Sequence, residues 1–431
     1  MKPFTKTEKS WMLYDSGTSA HSVIISTAVF PLFFKAAAED AGIEAANSTA
    51  YLGYTVAIAT FILAILAPIL GTIADYEGMK KKMFGFFSLL GVTFTAFLTF
   101  VPGEHWLLLL IFYTIAAIGA SGSNVFYDAF LVDVTEESRM NRISSRGFAI
   151  GYIGSTIPFI VAIAIIILAQ EEILPLSTPT ASKMAFFITA VWWLGFSLPM
   201  LRNVAQKHFR PREPRLIVNS FKRLGETLSE IKEYRALFLF LLAYFFYIDG
   251  VGTIITMSTA YGSDLGIEST TLLIILFVTQ VVAAPFAILF GRLADRFSGK
   301  KMLYVGIIIY IIVCVYAYFM KSALDFWILA MLVASSQGGI QALSRAYFAR
   351  MVPKEKANQF FGFYNIFGKF ASVMGPLLVG LTSQLTGKSN IGVFSLVILF
   401  LIGMILLARV PNEEEAVSIV SGGDGSKDAA L

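Results

Sequence analysis

The stretch GTIADYEGMKKK (residues 71–82) occurs a second time, in altered form, as GRLADRFSGKKM (residues 291–302). Asp75 and Asp295 occupy the same place in the two copies, and a glycine and a lysine pair follow each of them. Glycine permits a tight turn, and an aspartate can cap or pair with a neighbouring helix end. We expect the lysines to lie against anionic lipid headgroups.

A second internal match indicates that the whole chain is duplicated. GSNVFYDAF (122–130) aligns with GIQALSRAY (339–347) at nearly the same offset in the numbering, which places Asp128 opposite Arg345 across the repeat. The two matches predict six-helix halves that run in the same direction. Transporters built from such repeats move one bundle against the other around a site near the membrane midplane.

The composition is that of a polytopic membrane protein. The 431 residues are 56% hydrophobic and 14% charged, and the mean hydropathy is +0.72, which soluble domains of this length almost never reach. The net charge of +4 is spread over loops, so no nucleic-acid partner is expected. Cys314 is the single cysteine and the three histidines are scattered, which argues against a disulfide, a metal site or another cofactor.

Twelve apolar segments are long enough to cross about 30 Å of hydrocarbon as helices. Period-two alternation is absent from them, so barrel strands are not expected. The predicted fold class is an all-α membrane protein with twelve transmembrane helices in two pseudo-symmetric six-helix bundles. We number the segments as spans 1 to 12, near residues 10–37, 49–74, 82–102, 106–132, 143–169, 183–201, 237–262, 270–292, 300–320, 325–349, 358–385 and 390–409.

The basic residues predict the orientation of the spans. Of the 33 Lys and Arg, 28 fall at the termini and the even-numbered connections, whereas the odd-numbered connections hold four. Positive residues favour the cytoplasmic side, so both termini are expected there, in a plasma or inner membrane, or in a vacuolar membrane if the cell is eukaryotic.

Four domains follow from these boundaries. Residues 1–201 and 237–410 form the two bundles, and residues 202–236 form a cytoplasmic linker that carries an amphipathic helix over FKRLGETLSEIKEY. Residues 411–431 are polar and glycine-rich, and a disordered cytoplasmic tail is expected for them.

The two loops resemble the signature loop of the major facilitator superfamily, and several longer stretches resemble one branch of it. That branch contains the autophagy-related vacuolar amino-acid effluxers and their bacterial relatives. The chain departs from the family pattern at Ser16, Thr18 and Asp128. The resemblance is carried by WMLYDSGTSAHSVI (11–24), VFYDAFLVDV (125–134), AYFFYIDGVGTI (243–254), GGIQALSRAYFARMVP (338–353) and NQFFGFYNIFGKFASVMGPLL (358–378).

Counting along the spans places ionisable residues at membrane depth. At a rise of about 1.5 Å per residue, His21, Asp249, Asn365 and Lys369 lie near the midplane. Ionisable residues there usually face a bundle interior and have partners. Asp249 and Lys369, at similar depth in spans 7 and 11, are therefore predicted to pair. The pair either binds substrate and protons or is a permanent salt bridge between the two spans.

The predicted roles divide among three groups of residues. Several of these residues have an alternative reading. His21 is then a packed interior histidine, Asp15 an acid near a helix start, and Asp128 and Arg345 independent charges at loop ends. Substrate binding is assigned to Lys369, Asp249, Asn365, Asn124, Gln341, Tyr152 and His21. Proton coupling is assigned to Asp249, Asp15 and His21. Gating is assigned to Asp75, Asp295, Asp128 and Arg345.

The sequence favours a secondary active transporter over an enzyme, since it contains no catalytic constellation. Opposite charges at the midplane and the family resemblance favour a small polar or zwitterionic solute, an amino acid, moved by a proton-coupled monomer in the lipid bilayer. Efflux of drugs or amphiphiles is the alternative within transport, based on aromatic residues that include Trp192, Trp193, Tyr152, Tyr244 and Tyr364. A sensor or scaffold with the same fold is the alternative outside it.

Overall fold

The computed structural model describes residues 3–43, 45–211, 219–220, 222, 225–226, 234–264, 267 and 269–411. The predicted linker helix lies largely outside the described residues, and the predicted tail lies outside them from residue 412 onward. Within the described part the chain is helical and forms no β-strand.

The α-helices follow the apolar segments. Short 3-10 turns occupy Leu98–Phe100, Glu137–Arg139 and Lys354–Lys356. The α-helices are Lys6–Ala20, Phe30–Asp40, Ala45–Ala74, Met79–Phe97, Trp106–Ala129, Leu131–Val134, Met140–Gln170, Thr178–Asn203, Arg235–Asp264, Ser269–Phe297, Gly299–Phe319, Ala323–Met351, Ala357–Thr386, Ser389–Ser395 and Val397–Ala408.

Twelve helical segments of the described chain are long and apolar enough to cross a membrane, which confirms the predicted fold class. Their bounds lie within a few residues of the predicted ones in most cases, because a segment that crosses a bilayer needs about 20 predominantly apolar residues and must pair its own backbone groups as a helix. Spans 1 to 12 are Lys6–Asp40, Tyr51–Ala74, Met79–Phe100, Trp106–Ala129, Glu137–Gln170, Thr178–Asn203, Arg235–Ser258, Ile274–Phe297, Gly299–Phe319, Ala323–Met351, Lys354–Thr386 and Asn390–Ala408.

Span 1 is longer than predicted and is not a uniform α-helix. It begins in a capping box, in which the Thr5 hydroxyl accepts from the Glu8 amide at 3.1 Å and the Thr5 amide donates to the Glu8 carboxylate at 2.8 Å. Its centre, His21–Val29, is a π-helix of nine residues. Such stretches are rare and frequently occur at functional sites.

The contacts of the chain divide it into two units. Unit 1 comprises Met1–Val134 and Ile150–Arg212, and unit 2 comprises Thr135–Ala149 and Glu213–Leu431. The first residues of span 5 thus belong to unit 2, although the predicted boundaries place them in the first bundle. The reason is a buried contact with span 10, where the Ser144 hydroxyl donates to the Ala342 carbonyl at 2.8 Å.

Spans 3 and 4 of unit 1 meet at a pair of glycines. A Cβ atom added to Gly119 would stand 2.3 Å from the amide nitrogen of Gly91 and 2.5 Å from its Cα atom. Backbone atoms cannot move aside as a flexible side chain can. Small residues here let the two helix backbones approach closely, as is common between helices in membranes.

We expect Gly119→Ala to destabilise the protein by about 1–3 kcal/mol, because the added methyl group overpacks the contact between spans 3 and 4. Gly195→Ala is the matched control, since no atom lies within 4 Å of a Cβ there. Replacing glycine by alanine in an open helix position stabilises by roughly 0.5–1 kcal/mol. Thermal unfolding in detergent measures both. A Gly119→Ala variant as stable as the control would contradict the close contact.

Candidate functional site

Asp249 of span 7 is completely buried, at 0% exposure. The Thr253 hydroxyl, one helical turn further on, lies 3.5 Å from the Asp249 Oδ1 atom. A carboxyl group at this depth in an apolar segment is costly unless it has partners or a functional ligand. Among the described residues, Asp249 is therefore the leading candidate for a substrate or proton site in unit 2.

Span 11 approaches Asp249 at a glycine. A Cβ atom on Gly375 would stand 2.0 Å from the Thr253 hydroxyl oxygen and 2.8 Å from Asp249 Oδ1. Gly375 therefore faces the carboxyl group directly, and only a residue without a side chain fits between the two spans. The sequence singled out Asp249 but neither Thr253 nor Gly375, because a close helix approach depends on how the helices rotate.

Lys369 lies on the same helix as Gly375, nearly two turns before it, which corresponds to about 9 Å along the axis. The side chain of Lys369 is outside the described part of the structure. The pairing of Lys369 with Asp249 therefore stays a prediction.

The aromatic residues near this site pack against one another. The rings of Tyr244 and Tyr364 stack at 4.3 Å, and both residues are buried. The Tyr247 hydroxyl lies 2.7 Å from the Ser344 hydroxyl of span 10. Asn365 is half-buried and donates to the Phe361 carbonyl of its own helix at 3.0 Å. These contacts join spans 7, 10 and 11, and on span 7 they precede Asp249 in the chain.

In unit 1, span 1 packs closely on span 5. The Ser16 hydroxyl donates to the Ile150 carbonyl at 3.1 Å, and a Cβ atom on Gly154 would stand 2.2 Å from that hydroxyl oxygen. A Cβ atom on Gly151 would stand 3.3 Å from Cβ of Asp15, which is largely buried. Ser16, which the sequence resemblance identified as a departure from the family pattern, is thus part of this close contact.

Span 1 also contacts spans 4 and 6 through aromatic residues. The Trp11 indole donates to the Tyr127 carbonyl at 2.8 Å, and the Tyr14 hydroxyl lies 2.8 Å from that of Ser123. The imidazole of His21 is buried beside the Trp193 ring, with 5.1 Å between ring centres. His21 therefore sits in a packed interior at the start of the π-helix.

Arg345, a predicted gate residue, is held inside unit 2. Its Nε donates to the Ser144 hydroxyl at 2.9 Å, its guanidinium donates to the Ser144 carbonyl at 3.2 Å, and the group lies 4.5 Å from the centre of the Phe148 ring. Asp128 belongs to unit 1 and is half-buried, so a gate formed by Asp128 and Arg345 stays a prediction. The remaining predicted lining residues, Asn124, Tyr152 and Gln341, are half-buried within their spans.

The two signature loops differ in burial. Asp75 is 3% exposed, whereas Asp295 is exposed. The first loop is closed by backbone bonds: the Arg210 amide donates to the Asp75 carbonyl at 2.9 Å, and the Glu77 amide donates to the Arg210 carbonyl at 3.0 Å. Gly78 then turns the chain into span 3 at a φ of 70°, a left-handed conformation that favours glycine.

Lys80 corrects the prediction that the loop lysines lie against lipid headgroups. It is completely buried, and its ammonium group lies 2.6 Å from a carboxylate oxygen of Asp133, which is equally buried. The ammonium group also donates to the Ala129 carbonyl at 3.3 Å and lies 5.2 Å from the centre of the Phe130 ring. The sequence did not indicate this pair, because its members lie on separate segments far apart along the chain.

Asp133 also binds the segment that follows span 6. Its Oδ1 atom accepts from the amides of Lys207 and His208, both at 2.8 Å. Burial raises the pKa of the Asp133 carboxyl, but the Lys80 ammonium and the hydrogen bonds from His208 and Lys80 outweigh burial and hold the pKa at about 2. Asp133 thus joins three segments of unit 1 as a buried anion.

On the predicted role of Asp249 in transport, we expect Gly375→Ala to reduce the transport rate without unfolding the protein, because its methyl group displaces Thr253 and the Asp249 carboxyl. Thr253→Ala should partly restore transport in the double variant, since it removes the closest atom. Gly380→Ala is the matched control on the same helix, with no atom within 4 Å of its Cβ. Initial transport rates and melting temperatures of wild type, Gly375→Ala, Gly380→Ala and the double variant test this. Normal transport by Gly375→Ala would show that the function of Asp249 does not depend on the close contact at Gly375.

Known proteins resemble the chain in both sequence and fold. The sequence profile of the family described as "Vacuole effluxer Atg22 like" matches residues 5–134 and 132–418. An uncharacterized MFS-type transporter, YxiO of Bacillus subtilis, is 70% identical over 413 residues, which cover 96% of each chain. Autophagy-related protein 22 of Cryptococcus neoformans is 25% identical over 304 residues, which cover 64% of this chain and 52% of that protein.

Solved structures with the same fold have much lower identity. The proton:xylose symporter XylE matches with a TM-score of 0.71 and 12% identity, over 94% of this chain and 96% of the other. A bacterial homologue of the iron transporter ferroportin matches with a TM-score of 0.71 and 14% identity, over 94% and 98%. The chain therefore belongs to the Atg22-like family of the major facilitator superfamily and is a membrane transporter of that superfamily.

Proposed function

We propose that the chain transports a small polar or zwitterionic solute, an amino acid, by alternating access coupled to proton movement. The observation that carries this proposal is the complete burial of Asp249 at the close approach of spans 7 and 11. A carboxyl group in that setting can exchange a proton or bind an ammonium group. The proposed class of substrate is inferred from the chemistry of this site.

The carboxylate and ammonium groups of an amino acid fit a pair of side chains with opposite charges. Lys369 binds the carboxylate of the substrate, and Asp249 binds its ammonium group or carries the coupling proton. Substrate binding to one of the two charged groups then changes the free energy of substrate or proton binding at the other, which is what coupling requires. Asn365 and Gln341 supply neutral hydrogen-bonding groups on the neighbouring spans, and His21 and Asp15 are the proton-relay candidates of unit 1.

Gating is assigned to the ends of the spans that are predicted, from the distribution of basic residues, to lie in the cytoplasm together with both termini. Asp75 and Asp295 control the signature loops, and Asp128 and Arg345 control the ends of spans 4 and 10. Efflux of amphiphiles is less well supported, because Trp193, Tyr244 and Tyr364 are buried in contacts with other residues.

Proteoliposomes test substrate class and coupling together. We expect a subset of amino acids to raise the melting temperature of the purified protein, because a ligand of the folded state stabilises it by mass action. The same amino acids should enter faster under an imposed pH gradient. Asp249→Asn should remove that acceleration, whereas Asp40→Asn, the same change at an exposed aspartate, should not.

Two results would contradict the proposal. Stabilisation by lipophilic cations alone would favour amphiphile efflux. Transport of an amino acid at a rate independent of the pH gradient, in wild type and Asp249→Asn alike, would exclude proton coupling through this residue.

A further inference from the structure

The centre of span 1 exposes two hydroxyl groups. Between residues 10 and 31, a stretch that the structure describes without a gap, only Ser22 and Thr27 are exposed. Ser22 lies close to the middle of span 1. The sequence assigned substrate binding at this depth to His21, which is buried. The side chain next to it in the chain is therefore the one that a solute can reach.

The π-helix brings the two exposed side chains to one face of span 1. Five residues make about 1.4 turns of an α-helix, which would direct Ser22 and Thr27 to different sides. In a π-helix the backbone bonds join residues five apart, so the two residues share a side. The Thr27 hydroxyl accordingly donates to the Ser22 carbonyl at 3.0 Å.

This hydroxyl contact differs from those in the α-helical spans of unit 1. There, threonine hydroxyl groups donate to the carbonyl four residues earlier in the chain, as at Thr55, Thr72, Thr95, Thr114 and Thr189. The exposed pair in span 1 thus exists because the helix is wider at this point. A rare backbone arrangement at membrane depth is a reason to look for a function.

The two hydroxyl groups retain hydrogen-bonding capacity for a ligand. Thr27 uses its hydrogen on the Ser22 carbonyl, which leaves its oxygen as an acceptor. The Ser22 hydroxyl makes no hydrogen bond to the described part of the chain, so it can both donate and accept. This surface is uncharged, and its donor and acceptors suit a hydroxyl or carboxamide group.

The exposed face of the neighbouring span 6 has the opposite chemistry. Its exposed residues, apart from a glycine, are all apolar, as expected for contact with lipid. Lipid tails cannot form hydrogen bonds, so an exposed hydroxyl group in a span is satisfied where water or a polar solute reaches it. The exposed residues of span 6 between residues 181 and 200 are Met184, Phe187, Val191, Leu194, Gly195 and Leu198.

The first span of unit 2 repeats the pattern. An aspartate is followed by a residue with a hydroxyl group four positions later and by another seven positions later, as Asp15, Ser19 and Ser22 in span 1 and as Asp249, Thr253 and Thr256 in span 7. Thr256 is exposed, as Ser22 is. Each half of the chain therefore exposes a hydroxyl group at the same distance beyond its aspartate.

We propose that Ser22 and Thr27 form a solute-binding surface of unit 1 that hydrogen-bonds a neutral hydroxyl or carboxamide group of the transported solute. The inference rests on the proposed transport of a small polar solute and names the group that is recognised. It assigns the solute contact of span 1 to Ser22 and Thr27 rather than to His21, whose imidazole packs beside the Trp193 ring. The π-helix then serves to place both hydroxyl groups on one face.

Thiol labelling tests whether water reaches this surface, and it requires no knowledge of the solute. Cys314, the single native cysteine, is completely buried, so wild type in proteoliposomes should react slowly with a membrane-impermeant cationic methanethiosulfonate. Ser22→Cys and Thr27→Cys should react at least about tenfold faster, because the reactive thiolate forms where water reaches the sulfur.

Val191→Cys is the matched control for the labelling. Val191 is 54% exposed on span 6 and lies two residues before Trp193, which packs beside His21, so its depth is close to that of Ser22. It should react as slowly as wild type. Equal rates for Ser22→Cys and Val191→Cys would place Ser22 against lipid and overturn the proposal.

L-threonine and L-valine test recognition of the solute, because they have nearly the same shape and differ by a hydroxyl in place of a methyl group. In titrations of melting temperature, wild type should bind L-threonine about two- to tenfold more tightly, the effect of one neutral hydrogen bond. Ser22→Ala should remove most of this preference. Ser182→Ala, where the hydroxyl donates to the Thr178 carbonyl of its own helix at 3.0 Å, should keep it.

Failure of this inference and failure of the proposed function give different results. Equal binding of L-threonine and L-valine by wild type, or an unchanged preference in Ser22→Ala, would overturn the inference and leave amino-acid transport intact. Binding of no amino acid by wild type would contradict the proposed function together with the recognition of a solute by Ser22. Fast labelling of Ser22→Cys would still support contact of this surface with water.

Discussion

Replacing Lys80 by methionine is expected to lower the free energy of unfolding by about 3–5 kcal/mol, because it leaves the Asp133 carboxylate buried without its cation. The pair lies outside the proposed transport site, so the loss should appear in the melting temperature and in the yield of folded protein.

Two variants isolate the effect of the charge. Lys82→Met makes the same change at an exposed lysine just beyond Lys80 and should leave the melting temperature nearly unchanged. Combining Lys80→Met with Asp133→Asn should recover much of the lost stability, since the asparagine oxygen still accepts from the amides of Lys207 and His208. Equal melting temperatures for Lys80→Met and Lys82→Met would show that the buried pair contributes nothing.

The pH dependence of these proteins has a defined sign. In wild type the pKa of Asp133 is lowered from 3.8 to about 2, so its stabilisation is complete above pH 3.8 and is lost as the pH falls towards 2. In Lys80→Met the pKa of Asp133 should be higher than in wild type, because burial raises it and the charge of Lys80 no longer opposes burial. Protonation of Asp133 as the pH falls then relieves the folded state of the variant. The stability difference between wild type and Lys80→Met should therefore shrink as the pH falls, and a constant difference from pH 8 to pH 4 would contradict this account.

Loss of transport is the expected result of Lys369→Met, and the melting temperature should fall with it. On the proposed pairing, the variant leaves Asp249 alone in the interior, which costs roughly 3–5 kcal/mol for a buried ion pair that loses one member. Adding Asp249→Asn removes the stranded charge and should restore the melting temperature. Transport should stay absent in the double variant, because the groups that bind substrate and proton are both gone.

A double-mutant cycle of melting temperature and counterflow separates function from structure. A permanent salt bridge between spans 7 and 11 predicts a double variant that is both stable and active. The functional pair predicts one that is stable and inactive. If the two single variants show additive changes in stability, then Asp249 and Lys369 are not partners at all.

The twelve spans were predictable because the hydrocarbon core of a bilayer excludes structures with unpaired backbone groups. The length and hydropathy of a segment are then enough to identify a membrane-spanning helix. The constant difference in numbering between the two copies of the repeat likewise identified the equivalent loops from the sequence alone. The π-helix at His21–Val29 was not predictable, since the apolar pattern of a membrane span does not distinguish a π-helix from an α-helix.

The depth of Asp249 followed from counting residues, and the structure does bury it. The contacts of Asp249 with Thr253 and Gly375 could not be predicted, because they depend on how two helices are rotated about their axes, and no local sequence pattern indicates that rotation. For Lys80, the prediction from the sequence was wrong. Its loop context indicated an exposed residue, and only the position of Asp133 on a separate segment accounts for its burial.

The segment after span 6 has a consequence for amide hydrogen exchange. Residues 204–210 lie outside the spans, but the amides of Lys207 and His208 donate to a buried carboxylate and that of Arg210 donates to the Asp75 carbonyl. These amides should exchange with deuterium slowly, as core amides do, although they follow the end of a helix. Unit 1 therefore holds the chain in place as far as Arg210, seven residues beyond the end of span 6.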